Sequence, residues 1–80
     1  MRDIDILTDV NDIFKDVLDN NELVIYAQTT ANDVDEWDSL THIQLVVAIE
    51  KHFKVKFTAT EIRQWKNVGE MCQTIKNRLN

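Results

Sequence analysis

Apolar positions near the start of the chain fall at helical spacing. Ile6, Val10, Ile13, Phe14, Val17 and Leu18 recur every three or four residues, with Asp9, Asp12, Lys15, Asp16 and Asp19 between them. That is the pattern of an amphipathic helix with one face turned inward. Asn20 and Asn21 are its expected terminators. Residues 22 to 38 sustain no period and end in the acidic run Asp33, Asp35, Glu36, Asp38, so a long loop is expected there. Leu23, Val24, Ile25 and Tyr26 are expected to tuck against the helices, because a loop this long usually packs side chains or carries function.

A second pattern runs from Leu40 to Phe53, LTHIQLVVAIEKHF, with Leu40, Ile43, Val46, Val47, Ala48, Ile49 and Phe53 covering more than a narrow stripe of a helical wheel. A buried strand competes for Leu45 to Ile49, but its flanks lack turn residues and the helical spacing continues on both sides. This should be the central helix. Asp38 or Ser39 caps its start, and Lys51, His52 and Lys54 suit the negative end of its dipole. Thr58-Ala59-Thr60-Glu61 has the form of a capping box, which predicts a short third helix. Asn67-Val68-Gly69-Glu70 precedes Met71, Ile75 and Leu79 on one face, which predicts a fourth.

Composition agrees with helices. There is one glycine and no proline in 80 residues, whereas a β domain of this size needs both repeatedly for tight turns. The length suits a single domain over residues 1–80 with a modest core and no deep cleft between lobes. Cys72 is the only cysteine, so no internal disulfide forms, and no Cys/His spacing resembles a zinc site. A cytoplasmic setting is expected. The longest apolar run, Leu45 to Ile49, is too short to span a bilayer, and the acidic start does not resemble an export signal, so the mature chain is expected to begin near Met1.

Net charge is −5, which argues against phosphate-backbone binding as the main activity. Its distribution is uneven. Residues 1–38 hold 2 basic and 11 acidic side chains (net −9), while residues 39–80 hold 7 basic and 3 acidic (net +4). The boundary falls at Asp38 and Ser39.

That boundary, Trp37-Asp38-Ser39-Leu40, is also where an irregular acidic loop becomes an apolar helix. A serine there is exposed, its backbone is fixed, and the unpaired N–H groups and positive dipole end favour a nearby phosphate. The same residues equally make a plain helix cap. Ser39 and His42, three apart, superficially suggest a nucleophile and base, but helical spacing produces this by accident, and so small a bundle has little means to build an oxyanion hole. His42 and His52 are ten apart on different faces and read as solvated surface rather than metal ligands. Cys72, beside Met71, reads as an inert half-buried thiol. Trp37 and Trp65 read as packing for the loop and third helix.

Asp38-Ser39-Leu40, followed by Ile43, Leu45, Val46 and Val47 and then by Glu50 and Phe53, resembles the signature of the acyl and peptidyl carrier proteins. The likeness continues through Val55-Lys56-Phe57, Thr58, Glu61 and Ile62, and in the loop IYAQTTANDVDEW ahead of Ser39. The resemblance implies an all-α four-helix bundle, three longer helices plus a short third one, with a long loop between helices 1 and 2. It implies a non-catalytic carrier with a covalent 4'-phosphopantetheine on Ser39, next to Asp38. A phosphopantetheinyl transferase (holo-acyl-carrier-protein synthase) with bound magnesium would present coenzyme A for in-line attack by the Ser39 hydroxyl. Acyl groups, held as thioesters, would then pass between a loading ligase or transferase and the synthase enzymes of fatty acid, polyketide or related biosynthesis.

Further expectations follow from the resemblance. Partner docking should centre on Asp38, Leu40, Ile43, Gln44, Val47 and Glu50, and acyl shelter on Val46, Ile49 and Ile62. The chain should act as a monomer, without nucleic acid and without membrane insertion. Where fatty-acid carriers are typically acidic along the second helix, this chain has Thr41, Gln44 and Lys51, which implies a dedicated pathway with altered partners. A peptidyl, aminoacyl or D-alanyl carrier is the alternative within the family, and a helical interaction module the alternative outside it.

Overall fold

A computed structural model describes residues 2–79. Its elements are α1 (Asp3–Val17), a 3₁₀ turn (Ala31–Asp33), α2 (Ser39–Phe53), α3 (Ala59–Gln64) and α4 (Val68–Leu79). Among the described residues there is no strand. The expected all-α bundle of three longer helices and a short third one is therefore what forms, with the long loop between α1 and α2.

One core joins the three longer helices. Ile6, Val10 and Phe14, four apart on α1, meet Leu45, Ile49 and Phe53 of α2 and Val68, Met71 and Ile75 of α4. The α1 helix packs on both α2 and α4. Each fully buried aliphatic or aromatic side chain here contributes about 1.5–3 kcal/mol relative to exposure. Ile25, Val34 and Trp37 bring the loop into the same core, so the loop is part of the packed body.

One end departs from expectation for a backbone reason: α1 stops at Val17, ahead of the expected terminators Asn20 and Asn21, whereas α2 ends at Phe53 as its pattern does. The α1 helix closes through Asp19, in the left-handed conformation at φ 52°, with Asn20 N–H donating to Lys15 O at 3.0 Å. The α2 helix closes the same way through Lys54 at φ 59°. Neither position is glycine, and the only glycine, Gly69, lies inside the first turn of α4.

Hydrogen bonds over long sequence separations fix the loop. Asn11 on α1 donates to Leu23 O (3.3 Å) and accepts from Ile25 N–H (2.6 Å). The first N–H groups of α4 are capped by loop carbonyls, Val68 N–H to Thr29 O at 2.9 Å and Gly69 N–H to Ala27 O at 2.7 Å. Tying the loop to both helices buries Ile25 and half-buries Leu23, but Val24 and Tyr26 face solvent. The expectation that all four tuck inward is thus corrected, because an irregular segment pinned at two points turns only some of its side chains inward.

Side-chain contacts join the acidic first half to the basic second half, Asp3 to Lys76 at 2.8 Å and Asp9 to His52 at 3.3 Å, while Glu61 pairs with Arg78 within the second half. All are partly exposed and add little stability singly.

Candidate functional site

The turn into α2 is fixed by a reciprocal cap. Asp38 Oδ1 accepts from Thr41 N–H at 2.9 Å, and Thr41 Oγ1 accepts from Asp38 N–H at 2.7 Å. Thr41 Oγ1 also donates to Glu36 O at 2.8 Å, tying the loop's end to the helix's first turn. The bond from the Thr41 N–H is the main reason the Asp38 carboxyl titrates below its usual 3.8. Of the two candidate caps, Asp38 takes the role. Ser39, the only serine in the chain, is therefore exposed, and its hydroxyl makes no hydrogen bond to another described residue.

Beside Ser39 lies an open cleft of about 470 Å³ between the start of α2, α3 and the α3–α4 connection, lined among others by Trp37, His42, Ile62, Arg63, Trp65 and Lys66. Its aromatic side is continuous. The His42 ring stacks on Trp37 at 6.0 Å and meets Trp65 edge-on at 6.4 Å, while Trp37 meets Phe14 edge-on at 4.9 Å. Trp37 Nε1–H donates to His42 Nδ1 at 3.0 Å, and burial lowers the His42 pKa from its ordinary 6.5. His42 is half-buried, so reading it as solvated surface is corrected. The signal for it was Trp37 five residues earlier, a contact that helical periodicity does not encode. His42 is bonded to Trp37, and no described hydrogen bond joins it to Ser39.

The other site candidates divide by exposure. Leu40, Ile43 and Val47 are 67%, 63% and 44% exposed along one face of α2, with Gln44 exposed beside them. Glu50, one turn on, is half-buried and its carboxylate accepts from Phe57 N–H at 3.0 Å, holding the α2–α3 connection. Ile62 lines the cleft. Val46 and Ile49 are buried and are not among the residues that line it. Cys72 is half-buried, its thiol pushed up to about 11 by burial and by the charge of Asp3.

An exposed apolar face of α2 thus begins at Ser39, whose hydroxyl makes no hydrogen bond among the described residues. The phosphopantetheine attachment site family matches residues 8–75. The chain belongs to this family of acyl carrier proteins. It is a carrier, with covalently attached 4'-phosphopantetheine, rather than a catalyst. Among solved structures it is similar to the solution structure of holo acyl carrier protein from Geobacter metallireducens. The identity is 40%, the TM-score is 0.86, and the match covers 91% of this chain and 84% of that one. No helix among the described residues is long and apolar enough to cross a membrane.

Proposed function

We propose that Ser39 bears the phosphopantetheine and that the chain ferries acyl groups between enzymes of a biosynthetic pathway. The observation that carries this is the state of the Ser39 hydroxyl. It is the only serine hydroxyl available, it is exposed, and it is unbonded because Asp38 has taken the cap. A phosphodiester there would sit at the positive end of the α2 dipole, where negative charge is stabilised. The residues present therefore fit the group. When bound, it supplies a terminal thiol on which an acyl group is held as an activated thioester.

The chain's own residues do the rest. The Asp38–Thr41 pair fixes the backbone under Ser39, so a modifying enzyme meets a rigid target. Leu40, Ile43 and Val47, with Gln44 and Asp38 at the flanks, form the proposed docking surface, since exposed apolar residues ringed by polar ones mark interaction sites. Glu50 closes this surface at its far end. Shelter for the cargo is proposed on the Ile62 side of the cleft, with Val46 and Ile49, buried and outside its lining, as the other proposed shelter residues. The near-neutral face of α2, with Thr41, Gln44 and Lys51, favours partners other than those that read a uniformly acidic helix.

The test is intact-mass analysis of wild type and Ser39→Ala after incubation with a broad-specificity phosphopantetheinyl transferase and coenzyme A. Wild type should gain the mass of one arm and the variant none. A folded variant that still gains the arm would refute Ser39.

A further inference from the structure

The lining of the cleft beside Ser39 is chemically one-sided. Trp65 Nε1–H is committed to Thr74 Oγ1 at 2.9 Å, and Trp37 Nε1–H to His42 Nδ1 at 3.0 Å. A neutral imidazole that accepts at Nδ1 carries its proton on Nε2. Burial of His42 favours that neutral form. His42 Nε2 has no partner among the described residues, yet no buried side-chain nitrogen or oxygen among them is left unpaired. The Nε2–H therefore reaches solvent, on a residue that lines the cleft.

Two cations share this lining. Arg63 and Lys66 are exposed, and neither has an acidic partner among the described residues. The acid of the lining, Asp38, is committed through Oδ1 to the Thr41 N–H, which leaves one carboxylate oxygen against the two cations. Beyond that one Asp38 oxygen, the uncommitted charged and imidazole groups are donors, two of them positively charged, set beside aromatic walls. Such a lining suits an anionic oxygen acceptor, because charge-assisted bonds from guanidinium and ammonium are stronger than neutral ones. It disfavours a cargo that ends in an ammonium group. A cleft of about 470 Å³ is in the size range of small-ligand sites.

Resting on the attachment at Ser39, the geometry points to this cleft as a berth for an anionic oxygen group tethered there, held by Arg63, Lys66 and the His42 Nε2–H. The group is either the phosphodiester of the arm or a carboxylate at the far end of a short acyl cargo. In both cases the same residues act as positioning groups, folding the tether back against Trp37 and Trp65.

The experiment loads ¹⁵N-labelled protein from coenzyme A, butyryl-, succinyl- or β-alanyl-coenzyme A with the broad-specificity transferase. Intact mass first establishes loading, so a failure of attachment is seen separately from a failure of the berth. NMR then follows the His42 Nε2–H resonance in wild type and in Arg63→Gln/Lys66→Gln, with the Arg63 Nε–H resonance followed in wild type alone and tryptophan emission as a further readout in both proteins. Both cations are exposed, so the double variant should keep its fold. Movement common to all four loaded forms and lost in the double variant assigns the berth to the phosphodiester. Movement confined to the succinyl form and lost in the double variant assigns it to the cargo carboxylate. Movement in the butyryl or β-alanyl form alone, movement that survives the double substitution, or no movement in any loaded form overturns the proposal.

Discussion

Replacing Gly69 with alanine sets two effects of similar size against each other. In a helix interior the change normally gains about 1 kcal/mol, because alanine loses less backbone entropy on folding. Here an added Cβ would stand 3.0 Å from Ala27 O, 3.3 Å from Ala27 Cβ and 3.3 Å from Asn67 Oδ1. The nearest atom is a backbone oxygen, which must retreat by a few tenths of an ångström. It is also the acceptor for Gly69 N–H at 2.7 Å, and Thr29 O, two residues on, accepts from Val68 N–H at 2.9 Å. Loosening both bonds costs about 2 kcal/mol at the usual net value of about 1 kcal/mol each. The expected balance is a loss of about 1 kcal/mol. With a urea m-value of about 1 kcal/mol/M for a chain this small, the midpoint should fall by about 1 M at unchanged m. Hydrogen exchange should also quicken at Gly69 and Val68. A Gly69→Ala protein as stable as wild type, with those amides equally protected, would refute the claim that the loop is clamped to α4.

Three further outcomes follow from the structure. Because His42 is held neutral by burial, the unfolded chain takes up its proton first as pH falls through 6.5. Its contribution is therefore complete above 6.5 and is lost as pH drops toward the lower folded value. Asp38 and Glu61, held below 3.8 and 4.5 chiefly by the Thr41 and Thr58 N–H groups, act only in more acidic solution. His42→Gln should flatten the stability profile of the apo protein between pH 7 and 5, and an unchanged slope in urea titrations would count against the buried imidazole. Cys72, with its pKa at about 11, is thiolate in only about one molecule in a thousand at pH 8. Iodoacetamide should label it at least about 100-fold more slowly in the folded than in the urea-unfolded chain, and equal rates would contradict its burial. Val47→Glu, on an exposed position of α2, should leave phosphopantetheinylation intact while lowering kcat/KM for acyl transfer with a downstream partner by about tenfold. Unchanged transfer would remove Val47 from the docking surface.

The helices were legible because their signals are local. Ile6, Val10 and Phe14 are spaced to share one face of α1, and the Thr58–Glu61 box sits where α3 begins. The site was legible to the level of Asp38 and Ser39, but sequence alone could not choose between them as the cap. That choice rests on the Thr41 side chain, which reaches Glu36 O as well as Asp38. What escaped detection depends on contacts far apart in the chain. Asn11 reads as one more polar residue on α1, yet it bonds Leu23 and Ile25 twelve and fourteen residues away. His42 reads as surface until Trp37 and Trp65 enclose it. Glu50 reads as a docking acid, though its carboxylate faces the Phe57 N–H. Periodicity reports which side of a helix is apolar and carries no information about which polar side chain will meet a distant backbone group.

The central claim is that one hydroxyl, freed by the neighbouring aspartate, is the tether. Fragmentation of peptides from the modified protein by tandem mass spectrometry tests it most directly. The arm should localise to Ser39 and to no other residue. Localisation to another hydroxyl such as Thr41, or a folded protein that a competent transferase leaves unmodified, would contradict it.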